Sequence, residues 1–414
     1  MMVRTNRKCA GNNRGKTVGQ RSVLLNSERQ MGIPLVDLGA QYLTVKREIE
    51  GAWEEILSSM RLFLGPHVER FEEEFAAYCG TSACIGVGSG TEALHLALRA
   101  CGVKSGDEVV TVSHTFIATI EAIWMCGAKP VFVDVNPETY TMDVTRLEDV
   151  ISPRTRAIVP VHLYGQVADM SAILDVARRY DLRIVEDASQ AHGALWFRDN
   201  GDNNARVGCR AGSLGCCGTF SFYFSKNLAA YGEAGAVVTG DPEIARKIRL
   251  LRDHGQHPKH HHQVMGFNSR IDELQAAVLA IKLKHLDAWN TMRRAHAARY
   301  TELLKPLPVI TAVEADFNRH VYHLYVIRTR NRDALRDYLQ KRGIGTGVHY
   351  LIPCHLQESC AELGYGRGDF PITESLCGEI LSLPMYPELT EAQIRDVVEA
   401  IGDFFNEIKR EEEG

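Results

Sequence analysis

Three short stretches of the chain carry side chains that could do chemistry together. Gly88-Ser89-Gly90-Thr91 lies between a β-rich apolar run and a helical run. Glycines let the backbone turn tightly, and the first free N–H groups of a helix point at an anion, so this stretch can cradle a phosphate. The same residues also make an ordinary turn and cap. No Gly-Lys-Ser/Thr follows, so it is not a Walker loop. Glu186-Asp187 closes a second apolar run, with Gln190 and His192 just beyond; a carboxylate there either caps the next turn or serves a site. The third stretch is Ser221-Phe-Tyr-Phe-Ser-Lys226-Asn227. Burial among Phe222, Tyr223 and Phe224 would lower the lysine pKa from about 10.4 and make the amine a nucleophile and base. Any one lysine is more commonly a solvated surface group, and only the combination is informative. An anion site, a carboxylate and an amine meet the three needs of pyridoxal phosphate: a grip on its phosphate, a partner for its pyridine nitrogen, and a nitrogen for an imine.

The elements that must position these groups follow from periodicity. Strands are expected at 83–87, 107–112, 130–135, 156–162, 182–187, 218–223 and 235–239. The run after 90 is helical, since Leu94, Ala97, Leu98 and Cys101 follow the i, i+3, i+4, i+7 pattern. Continuous apolar strands separated by helices indicate an α/β fold with a mostly parallel sheet covered on both faces. Functional groups in such sheets gather at the carboxyl ends of the strands, and all three stretches fall there. Residues 243–300 read as largely helical, followed by strands at 321–328 and 347–350 and a closing helix over 391–410. The expected organisation is a flexible extension over 1–32, a large domain over 33–290 and a smaller C-terminal α/β domain over 291–414.

Composition narrows the function classes. Of 414 residues, 45% are hydrophobic and 24% charged, which excludes a disordered chain. With 47 basic against 52 acidic residues the formal charge is -5, so no global field favours nucleic acid. No apolar run approaches the roughly 20 residues that span a bilayer. The basic N-terminal residues, from Arg4 to Arg29, lack the uninterrupted apolar core of a signal peptide. The 11 cysteines contain no CxxC pair, and Cys216-Cys217 are adjacent. Reduced thiols and a cytoplasmic location are expected. His260-His261-His262 suggests a metal site at first sight, but adjacent histidines point in different directions and no carboxylate stands at ligand spacing; no metal is expected.

An ordered set of segments resembles the DegT/DnrJ/StrS sugar aminotransferases, which have the fold-type-I pyridoxal-phosphate architecture. They run from PLVDLGAQY (34–42) and FLGPHVERFEEEFAAYCG (63–80) through GSGTEALHLAL (88–98), HTFIAT (114–119) and VHLYGQVADM (161–170). EDASQAHGA (186–194), SFYFSKNLAAYGEAGAVVT (221–239), GFNSRIDELQAAVL (266–279) and LSLPMYP (381–387) complete the set. The resemblance implies that Lys226 bonds to the cofactor and shuttles the proton, and that Asp187 pairs with the pyridine nitrogen. It implies Gln190 at the ring hydroxyl, Phe116 on the ring face, and Gly90, Thr91 and Ser221 at the phosphate. His192 would pack beneath the cofactor, and His349, Tyr350 and His355 fall in a segment near the substrate entrance. Asn268 would reach the phosphate of the neighbouring subunit's cofactor, making a homodimer with shared sites.

Ser89, Phe224 and Ala234 depart from the residues common in that family, and the polar stretch from Arg198 to Arg210 is longer than usual. Relatives with His in place of the lysine are dehydratases, so Lys226 argues for transamination. The implied reaction moves an amino group from glutamate or glutamine to a keto sugar, most simply a nucleotide-linked one, in amino-sugar biosynthesis. A keto-cyclitol acceptor and a cofactor-binding regulator without turnover are the alternatives.

Overall fold

The computed structural model describes residues 32–199 and 206–413. The N-terminal extension, apart from its last residue, and the middle of the 198–210 stretch lie outside the described residues.

Two helices, α1 (Leu38–Ser59) and α2 (Pro66–Cys79), precede β1 (Ala83–Val87) and α3 (Gly90–Ala100). Then come β2 (Glu108–Val112), α4 (Ala118–Met125), β3 (Lys129–Val133), β4 (Thr155–Ile158), α5 (Met170–Arg179) and β5 (Arg183–Asp187). A hairpin, β6 (Leu195–Asp199) and β7 (Arg206–Arg210), leads to β8 (Cys217–Ser221) and β9 (Gly235–Thr239). Helices α6 (Pro242–Arg252), α7 (Glu273–Leu283) and α8 (Leu286–Leu304) follow. The chain closes with β10 (Asn318–Arg319), β11 (Tyr325–Arg328), α9 (Arg332–Lys341), α10 (Pro371–Glu379), β12 (Ile380–Leu383) and α11 (Glu391–Glu413).

Seven strands form one sheet in the order β1-β9-β8-β5-β4-β2-β3. Strands β8, β5, β4, β2 and β3 run parallel, and β9 is antiparallel to both of its neighbours. Alternation along each strand feeds two cores. Val110 and Val112 of β2 and Ile184 of β5 enter one, while Val109 and Val185 enter the other. Burial on both faces is why these strands read as unbroken apolar runs.

A third core joins Tyr325 and Ile327 of β11 and Leu381 and Leu383 of β12 to α9, α11 and the second half of α8. Helix α8 runs through position 290 without a break, with Leu286 in the large core and Ala297, Tyr300 and Leu304 in the small one.

Several expected elements are corrected. The strand expected over 321–328 is confined to Tyr325–Arg328, because Val321 and Leu324 donate their N–H groups to the carbonyls of Gly165 and Tyr164 in a loop. Over 347–350 only Gly347 pairs, with Ser382 of β12, a strand that periodicity did not mark. The helical reading of 243–300 is interrupted between Arg252 and Glu273, where the chain forms isolated bridges such as Asp253 with Asn268. The ten cysteines among the described residues are free thiols.

Candidate active site

The loops beyond the carboxyl ends of β1, β2, β4, β5 and β8 line one cleft of about 550 Å³. It holds Gly90, Thr91, Phe116, Asp187, Gln190, Ser221 and Lys226 together, with His349 and Tyr350 from the smaller part of the chain. A larger, more open hollow of about 690 Å³ beside α11 contains none of these groups.

At one end of the cleft α3 begins. Ser89 is its N-cap, the side-chain oxygen accepting the Glu92 N–H at 3.2 Å, a role that Ser fills as well as the Asn usual in the family. The N–H groups of Gly90 and Thr91 lie in the first turn, where intrahelical partners are lacking. A Cβ on Gly90 would sit 2.5 Å from the Ser221 Cβ and 3.1 Å from its Oγ. The helix start and the end of β8 therefore approach as closely as glycine permits, and Gly90, Thr91 and Ser221 all line the cleft, where free N–H groups at a helix start suit an anion.

Asp187 lines the same cleft. It is 6% exposed; its Oδ2 accepts from the Thr119 hydroxyl at 2.9 Å and its Oδ1 from the Ser189 N–H at 3.2 Å. Thr119 is itself 3.0 Å from the Thr115 hydroxyl. The preceding residue, Glu186, points to the opposite face of the sheet. There it meets His162 Nε2 at 2.8 Å and accepts the N–H groups of Gly212, Leu214 and Gly215. Strand alternation thus divides the adjacent carboxylates: Glu186 holds the turn before β8, and Asp187 faces the cleft.

Gln190 accepts the Tyr164 N–H at 2.7 Å and donates to the Tyr350 hydroxyl at 3.1 Å. Phe116 stands with its ring centre 5.6 Å from that of Tyr350 and is 52% exposed, leaving an open aromatic face. Lys226 is partly buried, and desolvation pulls its ammonium down to about 8 against the opposing attraction of Asp187. Burial, followed by the charge of Lys226, lowers His192 to about 3 and His349 to about 4, so both imidazoles are neutral at pH 7.

Other residues named from the sequence lie outside the cleft lining. His192 is fully buried, its ring packed against those of Phe220 and Phe222. His355 is buried against Ser113 and Glu374 and does not line the cleft. Asn268 is exposed, accepts from Arg270 at 2.9 Å and lies outside this cleft. His261 and His262 hydrogen-bond backbone carbonyls of their own loop, and the described residues contain no cluster of metal-ligating side chains. Thr119 and His323 line the cleft although spacing did not single them out; nothing local marks His323, and Thr119 ends the HTFIAT segment.

Pyridoxal phosphate fits these residues. The glycine-lined notch at Gly90 suits its phosphate, buried Asp187 suits a ring N–H, and the desolvated Lys226 amine suits its aldehyde. Fold and cleft together define a pyridoxal-phosphate-dependent aminotransferase. Residues 44–402 match the DegT/DnrJ/EryC1/StrS aminotransferase family. The chain is 47% identical to a pleiotropic regulatory protein of Geobacillus stearothermophilus, over 91% of this chain and 99% of that one. It is 46% identical to the dTDP-3-amino-3,4,6-trideoxy-alpha-D-glucose transaminase of Streptomyces venezuelae, over 90% and 96%. The crystal structure of S. venezuelae DesV in complex with a ketimine intermediate superposes with a TM-score of 0.85 at 45% identity, over 90% of this chain and 98% of that one. NtdA of Bacillus subtilis with bound PMP gives 0.81 at 30% identity, over 92% and 86%. The protein belongs to the DegT/DnrJ/EryC1/StrS aminotransferase family. No helix among the described residues is long and apolar enough to cross a membrane.

Proposed function

We propose that this protein transfers an amino group from glutamate or glutamine to a nucleotide-linked keto sugar in amino-sugar biosynthesis. The observation that carries the reading is the partly buried amine of Lys226 in one cleft with the Asp187 carboxylate and the Gly90–Ser221 notch. The similarity to sugar-nucleotide transaminases supports the acceptor class.

Bound at these residues, pyridoxal phosphate supplies an electron sink for the bond broken at the substrate carbon. The chain supplies position and protons. Asp187, held by Thr119 and the Ser189 N–H, keeps a proton on the ring nitrogen through its negative charge. Lys226 Nζ, lowered to about 8 by burial, would be the base that takes the proton from the amino-bearing carbon of the donor and, once protonated, the acid that gives it back. The acceptor half-reaction runs the same transfers in reverse. Gly90, Thr91 and Ser221 would hold the phosphate, Phe116 would cover the ring, and Gln190 would stand at its hydroxyl side.

We further infer a cytoplasmic homodimer in which Asn268, exposed and outside its own cleft, serves the partner's phosphate site. A regulator without turnover is the second reading, prompted by the name of the Geobacillus relative; the Lys226–Asp187 pair favours turnover. Purified protein mixed with a panel of nucleotide keto sugars and with glutamate or glutamine should form an amino sugar. The Lys226→Ala protein should form none and should lose the borohydride-trapped lysine adduct. Turnover by Lys226→Ala would end this reading.

A further inference from the structure

The segment that follows Lys226 is held by groups that the chemistry above does not use. Lys282 of α7 is fully buried; its ammonium donates to the Ala229 carbonyl at 2.9 Å and lies 4.0 Å from the centre of the Tyr231 ring. Two turns earlier on the same helix face, Gln275 accepts the Tyr231 N–H at 2.8 Å and donates back to the Tyr231 carbonyl at 3.4 Å. The Asn227 side chain donates to Asn290 of α8 and to the Val321 carbonyl. The Ala230 N–H closes the loop on the Phe222 carbonyl at 2.8 Å.

A lysine in this place is costly. Burial pulls its ammonium down to about 7, opposed by the attraction of Glu388, whose Oε2 is buried without a hydrogen-bond partner among the described residues. A methionine could fill similar space without desolvating a cation. What methionine could not do is donate to a carbonyl three residues from Lys226.

We propose that Lys282 and Gln275 are positioning residues for the Lys226 amine, locking residues 227–232 onto α7 so that Lys226 moves by its side chain alone. The inference rests on the reading of Lys226 as the reacting amine. Its physical basis is that a misplacement of about 1 Å at a reacting group can cost on the order of 100-fold in rate.

The test uses Lys282→Met, which removes charge and donor at similar length, and Gln275→Leu, which removes the other clamp and serves where the first variant does not fold. Hydrogen exchange is followed by mass spectrometry on the cofactor-free protein, and kcat and KM are measured on the holoenzyme with both substrates. Amides of 227–232 should exchange at least about tenfold faster while β2 and β5 stay protected. The kcat should fall about 10- to 100-fold with KM within about twofold of wild type. Wild-type exchange in 227–232, acceleration throughout the sheet, or an unchanged kcat would each overturn the proposal. Because exchange is read without cofactor or substrate, turnover by Lys226→Ala would overturn the site assignment separately and leave that measurement standing.

Discussion

Replacing Gly90 by Ala adds a single methyl group where the structure has no room for one. The new Cβ would lie 2.5 Å from the Ser221 Cβ and 3.0 Å from its Cα. Carbon atoms rest at about 3.5–4.0 Å, so α3 and the end of β8 must part by about 1 Å. An N–H···O bond of about 2.9 Å stretched by that amount is no longer a hydrogen bond. Loss of one hydrogen bond to a charged phosphate is worth about 1.5–3 kcal/mol, which corresponds to roughly a 10- to 100-fold weaker affinity. Equilibrium titration of cofactor-free protein with pyridoxal phosphate, read by absorbance, measures it directly. A second variant separates crowding from other causes. In the Ser221→Gly background the obstructing Cβ is gone and the nearest atom is the Cα at 3.0 Å. The same Gly90→Ala change should then cost clearly less, about half in free energy, a non-additivity typical of neighbours in contact. Wild-type affinity in Gly90→Ala, or an identical loss in both backgrounds, would refute the reasoning.

The remaining expectations concern the amine and the carboxylate. Because burial lowers Lys226 to about 8, its neutral fraction rises through pH 8 rather than through about 10.4. The rate at which cofactor-free protein captures pyridoxal phosphate should climb with pH to a plateau above about 9; a profile still rising steeply at pH 10 would contradict a desolvated amine. Asp187→Ala should leave the cofactor partly bound while cutting turnover by several orders of magnitude, since the electron sink loses its charge partner. Mixed with Asn268→Ala subunits it should regain activity if sites are shared, and a mixture as inactive as its components would argue against a shared site.

Much of the site was legible in the sequence because its groups occupy special backbone positions. Glycines before a helix, a carboxylate ending an apolar run and a lysine after another all mark strand ends, and strand ends are where an α/β sheet opens. Periodicity was a poorer guide in the C-terminal part. The short strand Ile380–Leu383 lies between α10 and the tail leading to α11, and four apolar-rich residues do not distinguish strand from helix. Residues 321–324 look extended, yet the N–H groups of Val321 and Leu324 turn to the loop at 163–165, a choice set by a segment some 160 residues away.

What the sequence determined alone was the set of candidate site groups, their order, and the sheet ends that present them, because those depend on local conformational preference. Periodicity left open which of two adjacent carboxylates faces the cleft, since alternation separates Glu186 from Asp187 but does not say which face is covered; the resemblance named Asp187, and the tertiary structure puts it there. It likewise brought Thr119 to Asp187, Tyr350 to Gln190 and Lys282 to Ala229. Those contacts join residues 53 to 160 positions apart, and side chains that distant meet because of how layers pack, which no local spacing records.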